Sequence, residues 1–141
     1  MAKNTEIFFT KAVRFKPTAY NSADGTTAKQ VFAPSSEGSR VTLMAISSTS
    51  ATQKTVLLQV NDGTNISLMG HITVPAAAGT NGSVPVVSGL NRGNLPWLQI
   101  DSDGNPFIDL NYGMNLEAKL LAALSSGEQL TIVVGGGNYD E

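Results

Sequence analysis

Between residues 40 and 74 the apolar positions fall into three short runs separated by polar turns, with almost no charge inside the runs. Residues 41–47, around Val41, Leu43 and Ile46, are rich in β-formers although they alternate poorly. Residues 55–60, around Val56, Leu58 and Val60, follow a Ser/Thr-rich connection. The chain then turns through Asn61-Asp62-Gly63-Thr64-Asn65 into residues 66–74. An Asp-Gly pair between two apolar runs is a strong hairpin signal, because glycine takes the positive φ that a tight turn needs. These three runs predict an antiparallel meander and set the fold class as all-β.

The flanks extend that reading. Residues 29–32 predict a short strand, stopped by the polar stretch 33–38. Residues 84–87 read as extended, but Pro85 restricts them to an edge strand or no strand, since proline cannot donate to a ladder. Residues 90–95 read as one helical turn, and residues 96–100 lead through the turn 101–105 into a strand over 106–110. Residues 115–124 carry helix-favouring side chains, yet their place before residues 129–134 suits a strand; propensity is a weak prior against tertiary context. Short strands at this spacing predict an antiparallel β-sandwich or jelly roll of one domain. The expected division is an N-terminal arm or edge strand over 1–21, a sandwich over 22–134, and a flexible glycine-rich tail over 135–141, with a loop over 17–27.

Composition narrows the function. Only 14% of the residues are charged, against the usual quarter, so the surface must be covered by small polar residues or by another protein. Few charges also protect weakly against self-association. The absence of cysteine excludes disulfides, thiolate metal sites and cysteine catalysis. No apolar stretch approaches a membrane span, and the N-terminus has no signal-peptide core, so a soluble protein acting where it is made is expected, with no membrane partner. The net charge of −2 is unevenly spread: Lys3, Lys11, Arg14 and Lys16 face Glu6 alone at one end, whereas acidic residues dominate from Asp101 onward. A basic arm docking on the acidic part of a neighbouring copy is one reading, and plain solubilising charge is the other. A nucleic-acid patch is not expected in a chain that is acidic overall.

Candidate chemistry is sparse. Asp101, Asp103 and Asn105 match the opening of a calcium loop, but Gly104 stands two places early and Tyr112 occupies the place of the bidentate Glu. A turn without metal accounts for the same residues. His71, the single histidine, has no nucleophile signature near it. The glycines at 79–82 and 135–137 lack the Lys-Ser/Thr and helix of a phosphate loop. No cofactor, no metal and no enzyme activity are therefore expected. Trp97, the single tryptophan, suits a core or a subunit contact equally. Phe8 and Phe9 are adjacent, so in a strand they point to opposite faces and one of them needs a cover from outside its own sheet.

The order of segments resembles a family of small structural proteins of tailed bacteriophages and prophages. The resemblance is carried by Ala23-Asp24-Gly25-Thr26-Thr27-Ala28-Lys29, Gly38-Ser39-Arg40-Val41, Val60-Asn61-Asp62-Gly63-Thr64 and Ala77-Ala78-Gly79-Thr80-Asn81-Gly82-Ser83-Val84-Pro85. Later, Leu98-Gln99-Ile100-Asp101-Ser102-Asp103-Gly104-Asn105-Pro106-Phe107 and Thr131-Ile132-Val133-Val134-Gly135-Gly136-Gly137-Asn138-Tyr139 fit the same template. It spans residue 22 onward and leaves the N-terminal arm outside. The resemblance implies a head decoration (cement) protein on the virion capsid surface, assembled in the bacterial host cytoplasm. Its implied partners are the major capsid protein and further copies of itself, a trimer being the favoured homo-oligomer. The expected docking residues are Ile7, Phe8, Phe9, Val13 and Phe15, with Trp97 in the loop 75–97 as a second surface. A tail or fibre component with a receptor- or glycan-binding loop is the alternative; a hydrolase lacks a base and nucleophile pair.

Overall fold

Asp62 builds the turn its sequence calls for: its Oδ1 accepts the backbone N–H groups of Thr64 (2.9 Å) and Asn65 (2.7 Å). In the computed structural model, which describes residues 12–139, that turn joins β4 (Lys54–Asn61) to β5 (Ile66–Val74). The preceding strand of the meander is β3 (Ser39–Ser48). Before it come β1 (Ala12–Asn21) and β2 (Lys29–Phe32); after it come β6 (Val87–Ser88), β7 (Gln99–Ile100), β8 (Pro106–Leu110), β9 (Asn115–Leu120) and β10 (Gln129–Asn138). A single 3-10 turn, Ser22–Asp24, is capped by the Asn21 side chain.

The strands form two antiparallel sheets. Sheet 1 has the order β1-β10-β3-β8-β7, with β6 also on the β3 edge, and sheet 2 has the order β2-β9-β4-β5. Setting aside the two-residue β6 and β7, the eight remaining strands cross between the sheets at every step except the β4–β5 hairpin, which is the connectivity of a jelly roll. The all-β sandwich expected from the meander is therefore the fold.

Between the sheets lies one core. Tyr20, Met44, Ile46, Leu130 and Ile132 enter it from sheet 1; Phe32, Val56, Leu58, Ile72, Leu116 and Leu120 enter it from sheet 2. Strand β9 shows why residues 115–120 are not helical: Leu116, Ala118 and Leu120 are buried while Asn115, Glu117 and Lys119 lie between them on the other face. A period of two matches the pleat and overrides helix propensity. The strand stops at Leu120, short of the expected residue 124.

Three expectations are corrected. The loop placed at 17–27 begins late, because β1 runs through Pro17 to Asn21. Strand β1 is the edge of sheet 1, where a missing N–H on the free side costs no ladder bond. Residues 135–138, expected in a flexible tail, are strand: Gly135, Gly136 and Gly137 pair with Phe15, Arg14 and Val13 on one side and with Leu43, Val41 and Arg40 on the other. Gly136 requires its lack of a side chain, since a Cβ there would meet the Arg40 carbonyl oxygen at 1.8 Å. The extended run at 84–87 shrinks to the pair Val87–Ser88 on β3.

The two lateral openings of the sandwich are closed by different means. On the β1–β2 side, Arg14 Nη2 donates to the Ala33 carbonyl (2.9 Å), Lys16 Nζ to Gln30 (2.9 Å) and Lys29 Nζ to Ala19 (2.8 Å). These cations span the free edges of the two sheets. On the opposite side, the segment 90–98 inserts Leu90, Leu95 and Leu98 as buried plugs. Leu95 sits over Gly70, whose φ of +147° and missing Cβ leave room for it; a Cβ would come within 2.6 Å of Leu95 Cδ2.

Candidate assembly surface

Ile7, Phe8 and Phe9 lie outside the described residues. Val13 and Phe15 lie on β1, and both face away from the core, 84% and 65% exposed. They are held there by their neighbours. Arg14, between them, turns inward to stack over the Phe32 ring at 4.7 Å and to donate to Asn138 Oδ1 at 3.0 Å. Lys16 is likewise occupied by Gln30. Alternation thus divides the basic arm into two faces: cations grip the fold and apolar side chains are presented outward. Phe15 pairs across to Gly135, and Gly135 to Leu43, which is itself 43% exposed, so the apolar face continues over three strands of sheet 1.

Trp97 is on the other side of the molecule. Its Nε1 donates to the Met69 carbonyl (2.8 Å), where a register shift in β5 leaves that oxygen outside the ladder with β4. The ring is 42% exposed, so it serves as a lid on the β5 edge with one face open. The structure therefore separates Val13 and Phe15 from Trp97 and does not form one docking surface from them.

Two exposed residues next to Trp97 escaped the sequence reading. Ile66 (59% exposed) and Leu68 (68% exposed) project from the outer face of β5, opposite Asn61 and Gln59. Their i, i+2 spacing was the available signal. It placed both on one face of a strand whose other face, with Ile72 and Val74, already supplied the core.

The remaining polar clusters serve the fold. Asp101 Oδ1 accepts the backbone N–H groups of Asp103 and Asn105, both at 2.9 Å, so its carboxylate holds the turn. Among the described residues no group of three or more His, Asp or Glu side chains is disposed to hold a metal. His71 is exposed on the outer face of sheet 2, opposite Leu57. Arg40 makes the densest cluster. Its Nε and Nη2 bind the Asp109 carboxylate at 2.8 and 3.0 Å, its guanidinium lies 3.6 Å over the Phe107 ring, and Nε also reaches the Tyr139 hydroxyl at 2.8 Å. Tyr139 in turn donates to Asp109 Oδ1 at 2.5 Å. The Asp109 carboxylate raises the Arg40 pKa above its ordinary value, so the guanidinium stays charged. Burial and the Asp109 bond push the Tyr139 phenol up as well. This cluster locks the end of β10 to β3 and β8 and leaves no free base or nucleophile. Beside it, a pocket of about 380 Å³ opens between β3 and the turns 88–90 and 101–106, lined by Arg40, Thr42, Leu43 and Asp101 among others.

The strand order and these surfaces define a jelly roll that presents apolar side chains on two lateral edges. No family model matches the chain, and no curated protein matches it. Among solved structures it is similar to the Drosophila NLP-core, at 9% identity and a TM-score of 0.50, with 92% of this chain and all of the other covered. That crystal structure was reported for its insight into pentamer formation and histone binding. At this identity the likeness is one of fold.

Proposed function

We propose that this chain is a virion structural protein, a head decoration (cement) protein that coats an assembled bacteriophage capsid and acts through contacts alone. The observation that carries the reading is the outward presentation of Val13 and Phe15 on β1, a few residues after the apolar Ile7, Phe8 and Phe9 in sequence. Large contiguous apolar patches mark interaction sites, and here Val13 and Phe15 continue across Gly135 to the exposed Leu43 on the same face of sheet 1. Double-sheet jelly rolls recur in viral capsid and lectin domains, which favours the reading at the level of architecture only. The resemblance of residue 22 onward to small phage head proteins supports it further.

In this role the partners are the major capsid protein and further copies of the chain. A ligand that binds only the assembled shell stabilises it by mass action, with no chemistry required. Homo-oligomerisation, with a trimer suited to local shell symmetry, multiplies those contacts; the NLP-core, of similar fold, forms pentamers. Quantitative mass spectrometry of virions separated into heads and tails tests the assignment. Copy numbers in heads comparable with the shell protein support it. A few copies confined to tails would move the chain to a tail or fibre role with a glycan-binding loop, and absence from both fractions would refute a virion role.

A further inference from the structure

Two exposed apolar patches lie on the outer faces of edge strands at opposite sides of the sandwich. Patch one is Val13 and Phe15 on β1, the edge of sheet 1. Patch two is Ile66 and Leu68 on β5, the edge of sheet 2, with Trp97 beside them on Met69. Strand order places β1 and β2 at one side of both sheets, and β5 with β8 and β7 at the other. The patches are therefore different surfaces facing different ways.

We propose that patch one of each copy docks on patch two of the next, closing the chain into a head-to-tail ring through the β1 and β5 edges. This rests on the homo-oligomer part of the reading above and divides the expected docking set, giving Val13 and Phe15 to a neighbouring copy. A contact between unlike surfaces is heterologous: it makes a ring of at least three copies where the rotation between neighbours closes, and an open filament where it does not.

Size and charge both fit a second copy. From their fractional exposures, the five side chains present on the order of 600 Å² together, against about 1,600 Å² in a standard interface. They can form the apolar centre of such an interface, with polar surroundings as its rim. The β1 side carries Arg14, Lys16 and Lys29 against Asp24; the β5 side carries Asp62, Asp101 and Asp103 against Arg92. One side is thus basic and the other acidic, which steers a copy onto its neighbour and disfavours like edges meeting.

Light scattering on the purified full chain tests this, with Phe15→Ser and Leu68→Ser as variants and thermal unfolding as the folding control. Wild type is expected to run at three or more times the chain mass. Each variant, with one patch removed, is expected to run at the chain mass. The decisive sample is an equal mixture of the two variants. Each supplies the patch the other lacks, so one interface forms and the mixture runs at twice the chain mass. Should either variant unfold, Val13→Ser and Ile66→Ser probe the same patches. A monomeric wild type, a wild-type mass that keeps rising with concentration as an open filament's would, a folded variant that keeps the wild-type mass, or a mixture that stays at the chain mass would each overturn the ring. The measurement contains no shell: a ring from a chain absent from heads removes the decoration role alone, and a monomer abundant in heads removes the ring alone.

Discussion

Tyr20 on β1 donates its hydroxyl proton to the backbone carbonyl of Ala118 on β9, so one side chain ties the two sheets together through the core. The ring is 1% exposed, and Lys29 Nζ lies 5.0 Å from its centroid. Burial pushes the phenol up from 10.0 to about 12.

Tyr20→Phe is expected to cost about 1 kcal/mol in urea unfolding at neutral pH, the net worth of a typical intramolecular hydrogen bond. Alkali gives the sharper readout. A folded-state pKa raised above the unfolded one means stability complete below pH 10 and lost as pH rises toward 12. The wild type should lose stability across that window more steeply than Tyr20→Phe; equal slopes would contradict the burial of the hydroxyl.

Gly136 and Gly135 are adjacent yet differ in what a methyl group would meet. A Cβ at Gly136 would fall 1.8 Å from the Arg40 carbonyl oxygen, which is backbone of the neighbouring strand and cannot rotate away. At Gly135 the nearest atom is Leu43 Cδ2 at 3.3 Å, the end of a flexible, half-exposed side chain. Gly136→Ala should cost about 3 kcal/mol or more, and Gly135→Ala less than about 1 kcal/mol. Melting temperatures of the pair measure the contrast, and similar values would exclude the close approach of β10 to β3.

Leu95 belongs to a connection but is fully buried. Leu95→Ala is expected to cost about 3 kcal/mol, as core truncations do. Trp97→Phe keeps the apolar body and loses the bond to Met69, for about 1 kcal/mol. A surface-like cost for Leu95→Ala in denaturant titration would mean that 90–98 does not plug the sandwich.

Acid acts at the turns. Backbone N–H groups hold three carboxylates below their ordinary range: Asp24 through Asn21, Asp62 through Asn65 and Thr64, and Glu128 through Ser125 and Ala51. A depressed folded-state pKa contributes stability above the unfolded value that is lost as pH falls through the folded one. Stability should therefore decline below about pH 4.5, the ordinary Glu value. The triple variant Asp24→Asn, Asp62→Asn, Glu128→Gln should flatten that decline when melting is followed by circular dichroism.

Local signals were enough for the meander and the Asp62-Gly63 turn, because each depends on neighbours in sequence. The strand expected over 115–124 and found over 115–120 rested instead on its place before residues 129–134, against its helix propensity. What stayed hidden depends on distant partners. Three glycines in a row read as a tail, since nothing nearby reveals that the Arg40 backbone comes close enough to forbid a side chain. Pro17 read as a loop start because the edge position of β1 is a property of the whole sheet. Val13 and Phe15 were legible as candidate contacts, but the inward grip of Arg14 and Lys16 required β2 to be in place. Ile66 and Leu68 were legible only as part of a strand, because which face of β5 is buried depends on the sheet packed against it.

Strand β10 is the last of the ten strands among the described residues and yet sits inside sheet 1, flanked by β1 and β3. During synthesis, therefore, β1 emerges more than a hundred residues before the strand it pairs with, as the match of Ala12 to Asn138 requires. Sheet 1 has no path to completion until β10 has been made, and pairings this distant in sequence close slowly. Until β10 has been made, β1 and β3 lack their shared partner, and unpaired strand edges of that kind are open to mispairing.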